Sequence, residues 1–234
     1  MQIKYYAELH CLSCFSFLRG VSQPAKLVEY AAKLNYAAIA ITDECSLAGA
    51  VKAHIAAKSL DIKLIIGSEF KLDSGMKLIA LAPNKLAYSE LSSLISLARR
   101  RCPKGEYRIY LKDIIFYLKQ CLIIWLPSQN NNLEYQHGHQ LKKIFRNRIW
   151  LGITRLLNNN EAEHFSTNQE LSYKLSIPMV ACGNVQMCHA KNKPLHDVFS
   201  AIRHNLSVEE LGTKRLSNAQ NHLRDIDTLT SLYP

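Results

Sequence analysis

Tyr36-Ala37-Ala38-Ile39-Ala40-Ile41 is an unbroken apolar run, and Thr42-Asp43-Glu44 follows it directly. A strand with no polar face must be covered on both sides, which points to a parallel sheet with helices packed against it. The polar triplet marks the carboxyl end of that strand, where α/β proteins gather their functional groups. The same pattern extends outward in both directions. Before it, residues 4–9 read as a strand and a loop runs through Gly20. Pro24 then opens a helix to about Lys33, with Leu27, Val28, Ala31 and Leu34 as its apolar residues. After it come an Ala-rich helix over 47–59 and a strand over 63–66 that leads into Gly67-Ser68-Glu69. Further strands are expected at 77–81, 121–126, 150–153 and 179–181, and further helices at 88–101, 161–174 and from Pro194 to about Arg203. Residues 128–139, with Asn130-Asn131-Asn132 and then His137-Gly138-His139, read as a polar surface loop with the two histidines exposed. Close to seven strand–helix units predict a single α/β domain, more consistent with a barrel than with a small open sheet.

Composition bounds the function. The 234 residues are 48% hydrophobic and 21% charged, which excludes wholesale disorder. No apolar run approaches the ~20 residues of a membrane span. The opening Met1-Gln2-Ile3-Lys4 lacks the apolar core and cleavage site of a secretory signal, so a cytoplasmic protein is expected. Lys and Arg total 29 against 19 Asp and Glu, a formal charge of +10. This excess favours polyanions, nucleic acid above all, although a solvated basic surface fits the charge equally well. Two clusters are candidates for phosphate contact: Arg99-Arg100-Arg101 with Lys104 and Arg108, and Lys142-Lys143 with Arg146 and Arg148. A solvated helix end is the plainer account of each. The seven cysteines are read as reduced thiols; Cys11-Leu12-Ser13-Cys14 has the spacing of a redox pair, but no second pair completes a zinc site.

The strand ends collect Glu8, His10, Asp43, Glu44, Glu69, Asn184 and Gln186. Acids and a histidine at successive strand ends are what a hard or borderline metal ion would use. Structural roles compete with this, since Asp43 could cap the following helix and Glu69 could pair with a lysine.

These residues also carry a resemblance. Tyr6-Ala7-Glu8-Leu9-His10-Cys11-Leu12-Ser13, Phe15-Ser16-Phe17-Leu18-Arg19-Gly20, Ala40-Ile41-Thr42-Asp43-Glu44-Cys45-Ser46-Leu47-Ala48-Gly49 and Ile66-Gly67-Ser68-Glu69-Phe70 resemble the PHP (polymerase and histidinol phosphatase) domain. The likeness is specifically to the amino-terminal domain of bacterial error-prone C-family DNA polymerases, and it extends to Ala181-Cys182-Gly183-Asn184-Val185 and to residues 223–234. The resemblance implies a distorted (β/α)7 barrel spanning 1–234, with a core of about 4–205 and a carboxyl-terminal tail at 206–234. The palm, fingers and thumb of a polymerase would be absent, so this chain would not itself polymerise DNA.

Active PHP domains place His, Asp and Glu ligands around two or three metals that activate water for phosphoester hydrolysis. Position by position, His10, Asp43 and Glu69 match family ligands. Leu12 replaces the second histidine of the H-x-H motif, Arg19 an acid, Glu44 the histidine of T-D-H, and Asn184 and Gln186 the aspartate and histidine of D-x-H. The residual set His10, Asp43, Glu44 and Glu69 provides for at most one loosely held divalent ion (manganese, zinc or magnesium), and no cofactor is expected. The resemblance thus implies a non-catalytic, structural domain linked to damage-tolerant DNA synthesis and repair. Its partners would be a polymerase core or other replication and repair proteins, with DNA contact through the basic clusters and none with membrane. The alternatives are a stand-alone metal-dependent phosphoesterase or exonuclease, and a simple DNA-binding module.

Overall fold

Among the described residues seven strands pair in chain order, β1 (Ala7–Glu8), β2 (Ala38–Ile41), β3 (Lys63–Lys71), β4 (Lys77–Ala82), β5 (Leu122–Leu126), β6 (Ile149–Ile153) and β7 (Met179–Ala181). The computed structural model describes residues 6–128 and 131–233, so Lys4 and Tyr5 of the first expected strand, Gln129 and Asn130 of the expected loop and Pro234 of the expected tail lie outside the described residues. β1 and β7 do not pair as strands. Just beyond their ends, however, the Leu12 N–H donates to the Val185 carbonyl and the Val185 N–H to the His10 carbonyl, each at 2.8 Å. The sheet therefore curls into a nearly closed barrel. Helices α1 (Pro24–Lys33), α2 (Ala50–Leu60), α3 (Lys85–Arg100), α4 (Leu111–Tyr117), α5 (Asn131–Phe145), α6 (Glu161–Leu175), α7 (Lys193–His204) and α8 (Ile226–Leu232) complete the single α/β domain.

Ala40, Ile79, Leu81, Ile124 and Cys182 form a small buried apolar cluster on the inner side of the barrel, and an apolar cavity of about 410 Å3 opens beside Leu81 and Ile124. Around the barrel, one apolar layer lies between β3–β6 and the helices from α3 to α6, centred on Phe70, Leu78, Leu91 and Trp125. A second lies between β1–β2 and α1, α2 and α8. Helices α1 to α6 and α8 contribute apolar residues to these layers, which is why the 3.6-residue periodicity marked most of them in advance; no residue of α7 belongs to either layer.

Three features differ from the sequence reading. β4 runs antiparallel to both β3 and β5, joined to β3 as a hairpin with no intervening helix. The expected surface loop at 128–139 is largely α5. Gly138 is there because a Cβ at that position would lie 2.7 Å from the Trp125 ring, so the glycine lets the helix settle on β5. His137 is consequently buried, with its Nδ1 3.8 Å from Glu134, while His139 is exposed as expected. Lastly, residues 221–233 of the segment set apart as a tail are built into the body. Leu223 and Leu229 join the core, the Arg224 carbonyl accepts from the Tyr36 hydroxyl at 2.6 Å, and Arg224 donates to the Arg155 carbonyl at 2.7 Å.

Candidate functional site

The carboxyl ends of β1, β2, β3 and the segment after β7 converge, and the side chains they bring together satisfy one another. Glu8, at the end of β1, is buried and accepts from the Tyr6 hydroxyl (2.9 Å), the His10 N–H (2.9 Å) and the Gly183 N–H (2.8 Å). Burial pushes its carboxyl up, and these three donors oppose the rise. Asp43 is wholly occupied with the loop after β1: it accepts from the Ser13 N–H (2.7 Å), the Ser13 hydroxyl (2.6 Å) and the Ser16 hydroxyl (2.7 Å). Asp43 is therefore a staple for residues 13–20; burial pushes its carboxyl up, and these donors limit the rise.

That loop delivers Arg19 into the centre. Its Nη1 donates to Glu44 at 2.5 Å and to Glu69 at 2.6 Å, and Glu69 is 1% exposed. His10 Nε2 lies 2.7 Å from the other Glu69 oxygen. Burial alone would raise the Glu69 carboxyl, but His10, Arg19 and Lys77 overcome it and hold the group well below the usual carboxylate range. Glu69 is thus ionised and can only accept, so the His10 Nε2 carries the proton. The remaining Glu44 oxygen accepts from the Tyr107 hydroxyl at 2.9 Å, and Arg99 lies over the Tyr107 ring while donating to the Glu44 carbonyl at 3.1 Å. The backbone bends sharply to build this network. Leu18 (φ 58°), Cys45 (φ 46°) and Asn184 (φ 47°) adopt left-handed conformations beside Arg19, at Glu44's neighbour and in the segment after β7.

On the far side the amides have found other work. Gln186 accepts from His196 Nε2 of α7 at 2.7 Å and donates to Asn184 at 3.4 Å. Ser200 approaches His196 Nδ1 at 3.5 Å, and burial pulls the imidazole toward its neutral form, consistent with one ring nitrogen donating and the other accepting. Leu12 is fully buried and has no donor atom. A cleft of about 520 Å3 opens beside His10, bordered by Lys71, Lys77, Ser128 and Asn184.

This donor set does not fit a divalent ion. A guanidinium sits against two of the carboxylates, a third carboxylate is bonded to serines, and the imidazole is bonded to Glu69. Among the described residues no three His, Cys, Asp or Glu side chains converge to hold a metal. Sequence reasoning placed Arg19 where the resembled family carries an acid without finding its two partners, and it missed Tyr107. Neither had a local signal, because each partner lies 25 or more residues away.

The PHP domain profile matches residues 8–143. The chain belongs to the PHP domain family. The PHP domain described here is 50% identical over 98% of its length to the error-prone DNA polymerase of Teredinibacter turnerae. It is 48% identical to that of Saccharophagus degradans and 45% to that of Methylococcus capsulatus, over the same share of the chain. It spans 22% of the length of these relatives. Its fold is shared with a structure described as a metal-dependent phosphoesterase from Bifidobacterium adolescentis (TM-score 0.56, 16% identity, 99% of this chain and 96% of that one). An amidohydrolase from Chromobacterium violaceum shares it too (TM-score 0.57, 12% identity, 77% and 87%).

The basic clusters are partly committed to the PHP domain itself. Arg99 bonds the Cys45, Glu44, Gly105 and Glu106 carbonyls, and Arg101 grips Asp113 at 2.5 and 2.9 Å. Lys142 donates to the Ser176 carbonyl at 2.8 Å. Arg100, Lys143 and Arg146 remain exposed. Arg99 stands at the carboxyl ends of the strands, whereas residues 142–148 precede β6 at the opposite end of the barrel. No described helix is long and apolar enough to cross a membrane.

Proposed function

We propose that this PHP domain has exchanged metal chemistry for an internal ion-pair network and serves as a non-catalytic, structural part of an error-prone DNA polymerase. In that role it supports damage-tolerant DNA synthesis and repair in the cytoplasm. The observation that carries this reading is the Arg19 guanidinium at 2.5 and 2.6 Å from Glu44 and Glu69, a cation already in contact with the carboxylates that a metal would need. An adjacent positive charge stabilises the ionised form of a buried carboxylate, and Arg19 supplies it permanently because a guanidinium does not deprotonate in proteins. The relatives at 45–50% identity support the assignment to a polymerase. DNA contact through Arg100, Lys143 and Arg146 is a subsidiary part of the proposal.

The test is the metal content of purified, tag-free protein by elemental mass spectrometry after incubation with manganese, zinc and iron. Near-zero metal per chain is expected, together with no turnover of a nitrophenyl phosphate ester or a DNA 3′ end. Stoichiometric metal with hydrolysis that Glu69→Ala abolishes would replace this reading with the phosphoesterase one.

A further inference from the structure

Helix α7 is built inside out. Its buried residues are His196, Asp197, Ser200 and Ala201, three of them polar, whereas Leu195, Val198 and Ile202 face outward at 45%, 44% and 60% exposure. The spacing 195, 198, 202 places these three aliphatic side chains on one stripe of the helix. The inward polar face is explained by what it touches: His196 bonds Gln186 and sits beside the Arg19 backbone, and Asp197 is paired with Lys193 at 2.8 Å. The outward stripe has no such explanation, since about half of each of its three side chains is left open to solvent. Phe17, 82% exposed, stands on the same loop that carries Arg19. Single exposed aliphatics are ordinary, but an amphipathic helix with its polar face inward and its apolar face in water indicates that another surface belongs there.

We propose that the α7 stripe is the face on which this domain docks against the body of an error-prone polymerase. The inference rests on the structural-domain reading above and names its contact surface. The relatives carry the matched segment within chains of which it is 22%, so most of each polypeptide lies outside the segment and is available to cover the stripe. A second copy of this chain fits less well. Two copies meeting across a two-fold axis would juxtapose their own Lys191 and Arg203, on a chain already carrying +10. The occupant is therefore a largely apolar protein surface that contributes acidic groups at its margin.

The test uses a chimera in which this chain replaces the matched segment of the Teredinibacter turnerae polymerase, compared with the isolated chain by hydrogen exchange. Amides of 193–204 are expected to exchange on the order of 10-fold more slowly in the chimera, and Val198→Glu/Ile202→Glu to abolish that difference. In the isolated chain the same pair should leave the thermal midpoint within about 2 °C, because both sites are exposed and Glu is a good helix former. Ile202→Gln gives the same comparison with a milder change. Protection confined to other parts of the domain overturns the α7 assignment and leaves the structural reading standing. Absence of protection anywhere overturns both. A dimer of the isolated chain, seen by sedimentation and dissolved by the paired substitution, makes a second copy the occupant and also overturns the proposal.

Discussion

Replacing Arg19 with methionine removes the guanidinium and keeps most of its aliphatic volume, leaving the Glu69 carboxylate buried with His10 as its remaining partner in direct contact. Breaking a buried pair from one side costs about 3–5 kcal/mol, because the residual charge stays desolvated. Glu44 is 23% exposed and recovers part of its solvation, so the low end, about 3 kcal/mol, is the fitting figure. For a chain of this size about 1 kcal/mol moves the midpoint by roughly 2–4 °C, so Arg19→Met should melt about 6–12 °C below wild type at pH 7 by circular dichroism. Glu69→Gln in the same background should recover more than half of this, since the stranded charge goes with it. The pH dependence has a definite sign. Glu69 is held below the usual carboxylate range, so its contribution is present above the unfolded-state pKa of roughly 4.3 and is lost as the pH falls through the folded value. Arg19→Met lets that folded value rise, so the gap to wild type should be full at pH 7 and narrow below about pH 4. A midpoint within about 1 °C of wild type at pH 7, or simple additivity of the two substitutions, would show that the network does not hold the site together.

Gly183→Ala should destabilise the domain by at least about 2 kcal/mol in urea unfolding, since a Cβ there would lie 2.2 Å from a Glu8 oxygen and displace a buried acceptor of three hydrogen bonds; an unchanged midpoint would refute the packing argument. Thiol labelling of the native protein at neutral pH should modify Cys14 and Cys102, the two half-buried cysteines, well before the five buried ones, with Cys45 and Cys121 pushed up to about 12 by burial. Equally rapid labelling of Cys182 would contradict the complete burial of that side chain.

Much of the barrel was legible because its strands are buried on both faces and therefore read as unbroken apolar runs. The run at 36–41 contains all of β2, and the predicted α1 matches its residues end to end. Strand direction was not legible, because an antiparallel strand buried on both faces has the same hydrophobic pattern as a parallel one, and so β4 was taken into the parallel series. α5 was missed because asparagines and a glycine suggest loops locally, while Gly138 answers to a Trp125 ring thirteen positions earlier in the chain. At the site, the gathering of Glu8, His10, Asp43, Glu44 and Glu69 followed from their places at strand ends. Their bonding did not. Whether Asp43 meets an ion or two serines, and whether Arg19 faces solvent or two carboxylates, depends on the path of residues 13–20, which tertiary closure fixes.

Arg19 also changes what the stability of this fold depends on. A centre held by a dissociable ion is stabilised only to the extent that the surrounding free-ion concentration exceeds its dissociation constant, so such a fold weakens under chelation or starvation. A guanidinium tethered by the backbone has a fixed effective concentration that no external condition can dilute. The barrel thereby keeps the same centre whether the cell is rich or poor in transition metals.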